Sequence, residues 1–182
     1  MLALAHLHRS MRPQRTGLLF SRSYATVTEN KKPVSRVPFC VGDSHSESTQ
    51  WTDARVRAFA SLSGDNNPIH LDEESGRRSM FGQRVVHGHA CASVISGIMG
   101  RVLPGPGSIY LSQSLHYRAP VFVDDWIETT VTITNICEDR PYPVITLRTE
   151  LRKEDGTLAT EGEAVGMCPQ FAAAASSDLD LE

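Results

Sequence analysis

The 182-residue chain lacks the features that mark several large classes of protein. Its four cysteines are widely separated and form no CxxC pair, which predicts reduced thiols rather than a disulfide framework. No apolar run approaches the ~20 residues that span a bilayer, so membrane insertion is not expected. A formal net charge of −3 provides no general attraction to nucleic acid. With 40% hydrophobic and 21% charged residues, the composition is that of an ordinary globular domain.

The N-terminal segment lacks acidic residues, since the first acid is Glu29. It carries four arginines, at Arg9, Arg12, Arg15 and Arg22. An Arg-rich, Ser-containing and acid-free start is typical of a mitochondrial transit peptide, and Arg9 and Arg12 interrupt the apolar core that a secretory signal needs. The stretch Arg22-Ser23-Tyr24-Ala25 resembles the cleavage pattern of the matrix protease. The sequence therefore predicts import into the mitochondrial matrix with a cut after Tyr24; a disordered basic terminus without an address is the alternative.

These features divide the chain into four parts. We expect a transit peptide over 1–24, a linker over 25–37, one folded domain over 38–170 and a disordered tail over 171–182. Removal of residues 1–24 would take the net charge from −3 to −7. A mature chain that acidic argues further against DNA or RNA as a partner.

The first half of the domain carries helical patterns. Thr52-Asp53 can cap a helix that runs to Leu62, and the turn-forming segment 63–68 ends it. A short helix is expected over 73–80. The stretch after Gly88 is apolar nearly all round as far as Gly100, which predicts a buried helix.

The second half alternates apolar and polar residues with a period of two. This pattern runs through 127–134 and 145–152, and it is typical of antiparallel strands with one buried face. Asp155-Gly156 predicts a hairpin turn before a last strand over 157–167. The sum is an α+β domain in which an antiparallel sheet wraps a central helix.

The segment from Ser63 to His70 holds the most informative polar groups. Asp65 and His70 lie five positions apart across a loop stiffened by Pro68, with the carboxamide of Asn67 between them. Such a loop can hold a carboxylate, an imidazole and an amide around one water, and the first two groups suit proton transfer near neutral pH. The alternative is a structural loop in which Asp65 and Asn67 cap backbone N–H groups and His70 packs.

A second segment, Val85 to Ser93, opens the buried helix. Gly88 at a helix N-terminus would present free backbone N–H groups and the positive end of a dipole to a developing oxyanion. A glycine there can also serve packing or a turn alone.

Together these segments resemble the MaoC-like, hydratase-2 family of hot-dog folds. The stretches that carry the likeness are FASLSGDNNPIHLD at 59–72, Val86–Gly88, and GSIYLSQSLHYRAP at 107–120 with the following VFVDD. The likeness extends over most of 50–168 and, with the transit-peptide pattern, points to the family's mitochondrial dehydratases.

The resemblance implies a hot-dog fold and (R)-specific interconversion of 3-hydroxyacyl and trans-2-enoyl thioesters. It also implies a homodimer that needs no metal or redox cofactor. Carried onto this chain, Asp65 and His70 are the catalytic pair, Asn67 helps to hold the water, Gly88 polarises the thioester carbonyl, and Ser93 faces the site. The expected substrate is an acyl thioester on acyl carrier protein or coenzyme A, in mitochondrial fatty acid synthesis.

Other interpretations of the same residues remain open. A hot-dog thioesterase would share the fold and substrate class, and a non-catalytic acyl-thioester-binding subunit would share the fold. His87 and His89, with His70 and Asp72, suggest a metal site, but Gly88 between the first two disfavours a simple chelate. His89 stands where relatives usually have an apolar residue. Arg77, Arg78 and Arg84 could attract phosphate, although a solvated basic face explains them more simply.

Overall fold

The computed structural model describes residues 35–172, which form an α+β domain built on one five-stranded antiparallel sheet. In chain order its elements are β1 Ser44–Gln50, α1 Asp53–Ser63, α2 Pro68–Leu71, α3 Glu73–Arg78, α4 Gly88–Arg101, β2 Ile109–Tyr117, β3 Trp126–Cys137, β4 Val144–Lys153, β5 Leu158–Met167 and a 3₁₀ turn Pro169–Phe171. The sheet order is β1-β3-β4-β5-β2. The expected transit peptide lies outside the described residues, as do most of the expected linker and tail.

The sheet is organised by the period-two patterns of β3 and β4. These strands pair antiparallel, with Val131 opposite Thr149 and Ile133 opposite Leu147. Alternate side chains on each strand are fully buried, among them Val131, Ile145 and Leu147. The predicted hairpin at Asp155-Gly156 joins β4 to β5, and Gly156 takes a φ of +83°, which favours glycine.

Helix α4 is the central helix of the domain. Its side chains fill the core against the inner sheet face, and Ala90, Ile95 and Ile98 have no solvent exposure. The opposite face of α4 carries the exposed residues Ser93, Ser96 and Gly100, so the prediction of a helix buried nearly all round is wrong for that face. The sheet around a central helix is the hot-dog arrangement that the sequence predicts.

Two elements differ from the sequence-based expectation. Strand β1 was not predicted, because SHSESTQ carries no apolar alternation; it forms by pairing with β3 at the sheet edge. Segment 63–70 is not one loop, since Pro68–Leu71 makes a single helical turn after Asn67. No helix among residues 35–172 is long and apolar enough to cross a membrane.

Candidate active site

The start of α4 and the segment after α1 enclose a small cleft. Its volume is about 280 Å³, and its lining residues are Phe59, Ser63, Asp65, His70, His87, Gly88 and His89. Asp65, His70 and Gly88 were all predicted to act together, and the fold places them around one space. Sequence segments 63–70 and 87–89, separated in the chain, therefore meet at a single site.

Asp65 is held by a local turn. Gly64 ends α1 with a φ of +77° and reverses the chain. One carboxylate oxygen of Asp65, Oδ1, accepts a hydrogen bond from the Asn67 backbone N–H at 3.2 Å. The side chain is half exposed, which leaves Oδ2 available to the cleft.

Asn67 has a capping contact in this turn. Its Oδ1 accepts the Ile69 backbone N–H at 3.3 Å, and Pro68 occupies the first position of α2, where a missing N–H costs nothing. The side chain is exposed and does not line the cleft. The expected contact between Asn67 and a water therefore remains a prediction. The alternative role, in which Asn67 caps a backbone N–H group, is the contact seen with Ile69.

The ring of His70 has a defined orientation. Nδ1 lies 2.7 Å from the carbonyl oxygen of Val85. A carbonyl can only accept, so Nδ1 carries the hydrogen, and the neutral ring keeps a free lone pair on Nε2. That Nε2 lies 4.0 Å from Oδ2 of Asp65, so one water or one substrate atom between them can contact both groups.

Gly88 is the first residue of α4. No side chain caps this helix end, so the N–H groups of its first turn have no side-chain partner, and Gly88 itself lines the cleft. The Tyr117 ring packs on Gly88 so closely that an added Cβ would lie 2.6 Å from its Cε1 atom. Only glycine fits here, and its N–H is available to a carbonyl oxygen.

Ser93 lies apart from this group. Its hydroxyl donates to the carbonyl of Ala90 at 2.6 Å, and the side chain lines a different groove together with Glu47, Trp51 and Arg101. The described structure does not bring Ser93 to Asp65 and His70.

His89 lies between the cleft and an apolar cavity of about 380 Å³. Its Nδ1 is 3.2 Å from the hydroxyl of Tyr117, which lines the same cavity with Phe81 and Val121. No role was predicted for Tyr117 from the sequence. Burial raises the pKa of the Tyr117 hydroxyl, and repulsion from Cys91 raises it further. Tyr117 is therefore a neutral hydrogen-bonding partner.

His87 is the residue that sequence reasoning assigned only to a possible metal set. It is 2% exposed, and it contacts both members of the expected acid–base pair. The one signal in the sequence was its position directly before the glycine that opens α4.

A metal is not favoured at this cluster, although ligand atoms of Asp65, His70 and His87 lie within 4.8 Å of one another. The two imidazoles stack at 3.8 Å with 27° between planes, so their in-plane lone pairs run side by side instead of converging. Nδ1 of His70 and Nε2 of His87 are also engaged by backbone carbonyls. The expectation of no metal stays a prediction that this geometry supports.

The arginines considered for phosphate binding make ion pairs. Arg84 is buried and bonds Asp53 at 2.6 Å and Glu73 at 2.7 Å. Arg77 and Arg78 both pair with Glu74 at the surface. The predicted solvated basic face fits Arg77 and Arg78, whereas the burial of Arg84 contradicts it for that residue.

Comparisons with known proteins give a consistent result. The family model described as MaoC like domain matches residues 25–154. An (R)-specific enoyl-CoA hydratase of Aeromonas caviae is 44% identical over 129 residues, which cover 71% of this chain and 95% of the relative. A mitochondrial 3-hydroxyacyl-[acyl-carrier-protein] dehydratase of Arabidopsis thaliana is 33% identical over 156 residues, which cover 85% of this chain and 89% of the relative.

The fold agrees with a solved structure. The (R)-hydratase from A. caviae involved in PHA biosynthesis superposes with a TM-score of 0.69 at 43% identity, and the match covers 72% of this chain and 98% of that one.

Proposed function

The chain belongs to the MaoC-like dehydratase family, and we propose that it is a hydro-lyase that interconverts (3R)-3-hydroxyacyl thioesters and trans-2-enoyl thioesters. The observation that carries this proposal is the pairing of His70 Nε2 with Asp65 Oδ2, 4.0 Å apart, beside the uncapped start of α4. The reaction adds or removes protons next to a polarised carbonyl. It therefore needs two acid–base groups, here Asp65 and His70, and a hydrogen-bond donor to the carbonyl oxygen, here the start of α4.

The reaction follows from this arrangement. In the hydration direction a water oxygen bonds to C3 while one member of the Asp65–His70 pair takes a proton from that water. The C2–C3 π electrons move toward the thioester oxygen, and a proton from the pair then bonds to C2. The pair ends with the same number of protons as it began. The Gly88 N–H stabilises the oxygen that carries the developing charge, a contribution typically worth ~3–4 kcal/mol.

The test is hydration of a short trans-2-enoyl-CoA by the full chain and by residues 25–182, with chiral analysis of the product. We expect the (3R) product, and a loss of about 10²- to 10⁴-fold in kcat for Asp65→Asn and for His70→Gln. Circular dichroism and thermal unfolding would show that both variants still fold.

Two other outcomes would change the assignment. Release of free thiol without hydration would identify a thioesterase. Acyl-thioester binding with neither reaction would identify a non-catalytic binding subunit. Retention of Asp65, Asn67 and His70 argues against the second, because a chain without activity has no need for the complete set.

We propose further that the physiological carrier is acyl carrier protein, in fatty acid synthesis in the mitochondrial matrix. The support is the acid-free, Arg-rich start of the chain and the similarity to the plant mitochondrial dehydratase, whereas the more similar bacterial relative is a CoA hydratase. We expect a higher kcat/KM with the same acyl group on acyl carrier protein than on CoA. Equal values on both carriers would contradict this proposal.

The matrix address has its own test. Residues 1–30 fused to a reporter should carry it into mitochondria, and the imported product should begin at Ala25. Replacement of the four arginines before Tyr24 by glutamine should abolish import, because presequence uptake depends on that charge. Import of the glutamine variant would show that the address lies elsewhere.

We also propose that the chain acts as a homodimer. Strand β2 lies at a sheet edge and exposes Ile109, Leu111 and Tyr117, each about half accessible. An exposed apolar edge strand tends to pair with another chain, and a second copy is the partner always present.

A further inference from the structure

His87 lies between the two side chains that the proposed reaction uses. It is 2% exposed, occupies the position before α4 without capping the helix, and makes no contact that the reaction itself requires. A buried polar ring beside an active pair needs a physical explanation, since burial of an imidazole costs free energy unless its nitrogens are used.

The first contact of His87 fixes the chain at Asp65. Its Nε2 lies 3.0 Å from the backbone carbonyl oxygen of Asp65. Because that oxygen only accepts, Nε2 carries the hydrogen and donates it. The segment around Asp65 is exposed. The Asp65 N–H donates to the neighbouring Ser63 hydroxyl at the end of α1, whereas the His87 hydrogen bond ties the Asp65 carbonyl to a segment 22 residues further along the chain. The loop carrying the carboxylate is thus anchored to the start of α4.

The second contact fixes the ring of His70. The two imidazoles stack with centroids 3.8 Å apart and 27° between their planes. Phe59 packs on His87 at 5.1 Å, so the His87 ring is held between α1 and His70. The Val85 carbonyl holds His70 Nδ1, so the short segment from Val85 to His87 fixes the His70 ring at its edge and on its face.

The remaining nitrogen of His87, Nδ1, is buried and has no hydrogen-bond partner within residues 35–172. The ring is therefore held by one hydrogen bond through Nε2 and by its packing against His70 and Phe59.

We propose that His87 is the positioning residue of the site, which sets the separation of Asp65 Oδ2 and His70 Nε2 by holding both residues at once. The inference rests on the proposed function, because it assigns His87 an effect only through that pair. The motif around Asp65 and the glycine that opens α4 do not include this role, because both contacts that hold the pair are made by the His87 ring.

Two substitutions separate the two contacts. His87→Phe keeps a stacked ring and removes the donor to Asp65, whereas His87→Gln keeps a donor near the Nε2 position and removes the stack. We expect each to lower kcat about 10- to 100-fold with KM little changed, since misplacement of a catalytic group by about 1 Å has effects of this size. His45→Gln, on edge strand β1 and outside the cleft, is the matched control and should leave kcat unchanged.

A double variant distinguishes positioning from a merely structural role. If the His87 donor acts through Asp65, then Asp65→Asn combined with His87→Phe should be no slower than Asp65→Asn alone, because effects within one unit are not additive. Thermal unfolding of each variant identifies any that fails to fold. If one of the two His87 substitutions does not fold, the kinetics of the other one test the role of His87.

The outcomes are distinguishable. Wild-type kcat in the folded His87 variants, a change confined to KM, or a further loss of activity in the double variant would each overturn the role of His87. Wild-type activity in Asp65→Asn and His70→Gln would overturn the proposed site itself, independently of any result at His87.

Discussion

At the scale of single residues, Gly88 bears the strictest steric demand at the site. A methyl group on its Cα would lie 2.6 Å from Cε1 of Tyr117, so either the ring or the start of α4 must move. We expect Gly88→Ala to lower kcat by about 10²-fold, because the oxyanion donor shifts by a substantial fraction of an ångström. Steady-state kinetics on an enoyl-CoA substrate measures this.

The Gly88 prediction has a rescue variant. Adding Tyr117→Leu to Gly88→Ala removes the colliding ring and should restore part of kcat, while Tyr117→Leu alone should cost less than Gly88→Ala. Unchanged kcat in Gly88→Ala, or no recovery in the double variant, would show that the close contact does not position the donor.

Single residues also show where sequence reasoning succeeds and fails. A specific motif and a helix start identify Asp65, His70 and Gly88 locally, and the fold brings them to one cleft, while their catalytic roles stay predictions. His87 and Tyr117 reach the site through tertiary packing, and the one local signal for either is the position of His87 before Gly88. Ser93 was expected to face the site, but it follows Gly88 by five positions, which at 100° per residue turns it about 140° around α4. It consequently lies in another groove.

At the scale of elements, two glycines allow the effect of an added methyl group on stability to be compared at a crowded and at an open position. Gly162 of β5 pairs with Leu115 of β2, and an added Cβ would overlap the carbonyl oxygen of Ser114. Gly100 lies inside α4 with open space around it. We expect Gly162→Ala to reduce the free energy of unfolding by about 3 kcal/mol and Gly100→Ala to raise it by roughly 0.5–1 kcal/mol.

Urea unfolding of the two variants measures both effects. A neutral Gly162→Ala would show that β2 and β5 can separate without cost, and a destabilised Gly100→Ala would show that α4 meets a surface at that position. Small residues at Gly162, Ala164 and Gly166 are typical of a strand that packs closely against a neighbour, but the partner strand became visible only in the fold.

The junction of α1 and α3 predicts a pH dependence. Hydrogen bonds from Arg57 and then Arg84 lower the pKa of the Asp53 carboxyl below its ordinary value. A carboxyl whose pKa is lower when folded stabilises the fold above its unfolded pKa, and the contribution is lost as pH falls through the folded pKa. The stability difference between wild type and Asp53→Asn should therefore be largest near neutral pH and shrink below about pH 4.

Urea midpoints between pH 7 and pH 3 test this expectation. Glu154→Gln is the control, because Glu154 makes no salt bridge within residues 35–172. A pH-independent difference for Asp53→Asn would indicate that its carboxylate contributes through packing or helix capping instead of its ion pairs.

Elements differ in how far their sequences determine them. Helix α4 and the β4–β5 hairpin were predictable because apolar periodicity and Asp155-Gly156 act locally. Strand β1 was not, because its side chains are polar on both faces and its backbone is satisfied only by β3. The single turn of α2 was not predicted either. Pro68 was interpreted only as part of the segment that ends α1, but a proline also suits the first position of a helix, which it occupies in α2.

At the scale of the whole molecule, the open question of quaternary structure concerns the β2 edge. Leu111 is 51% exposed there, next to a register shift between Tyr110 and Ser112, and Tyr117 at the other end of the strand covers Gly88. Pairing of two β2 strands would bury the apolar side chains and at the same time fix the residue that packs on the oxyanion donor. Dimerisation and activity are therefore expected to be coupled.

Substituting Leu111→Lys tests that coupling, because a charge on an edge strand opposes pairing with another chain. Light scattering after size exclusion should give a dimer for wild type and a monomer for Leu111→Lys at the same concentration, with reduced kcat in the variant. Val41→Lys, at an exposed position outside the sheet, should remain an active dimer. A monomeric wild type would contradict the homodimer, and a dimeric Leu111→Lys would place the interface on another surface. A fully active monomer would separate assembly from catalysis and show that contacts within one chain, with His89 and with Thr160 of β5, are sufficient to hold Tyr117.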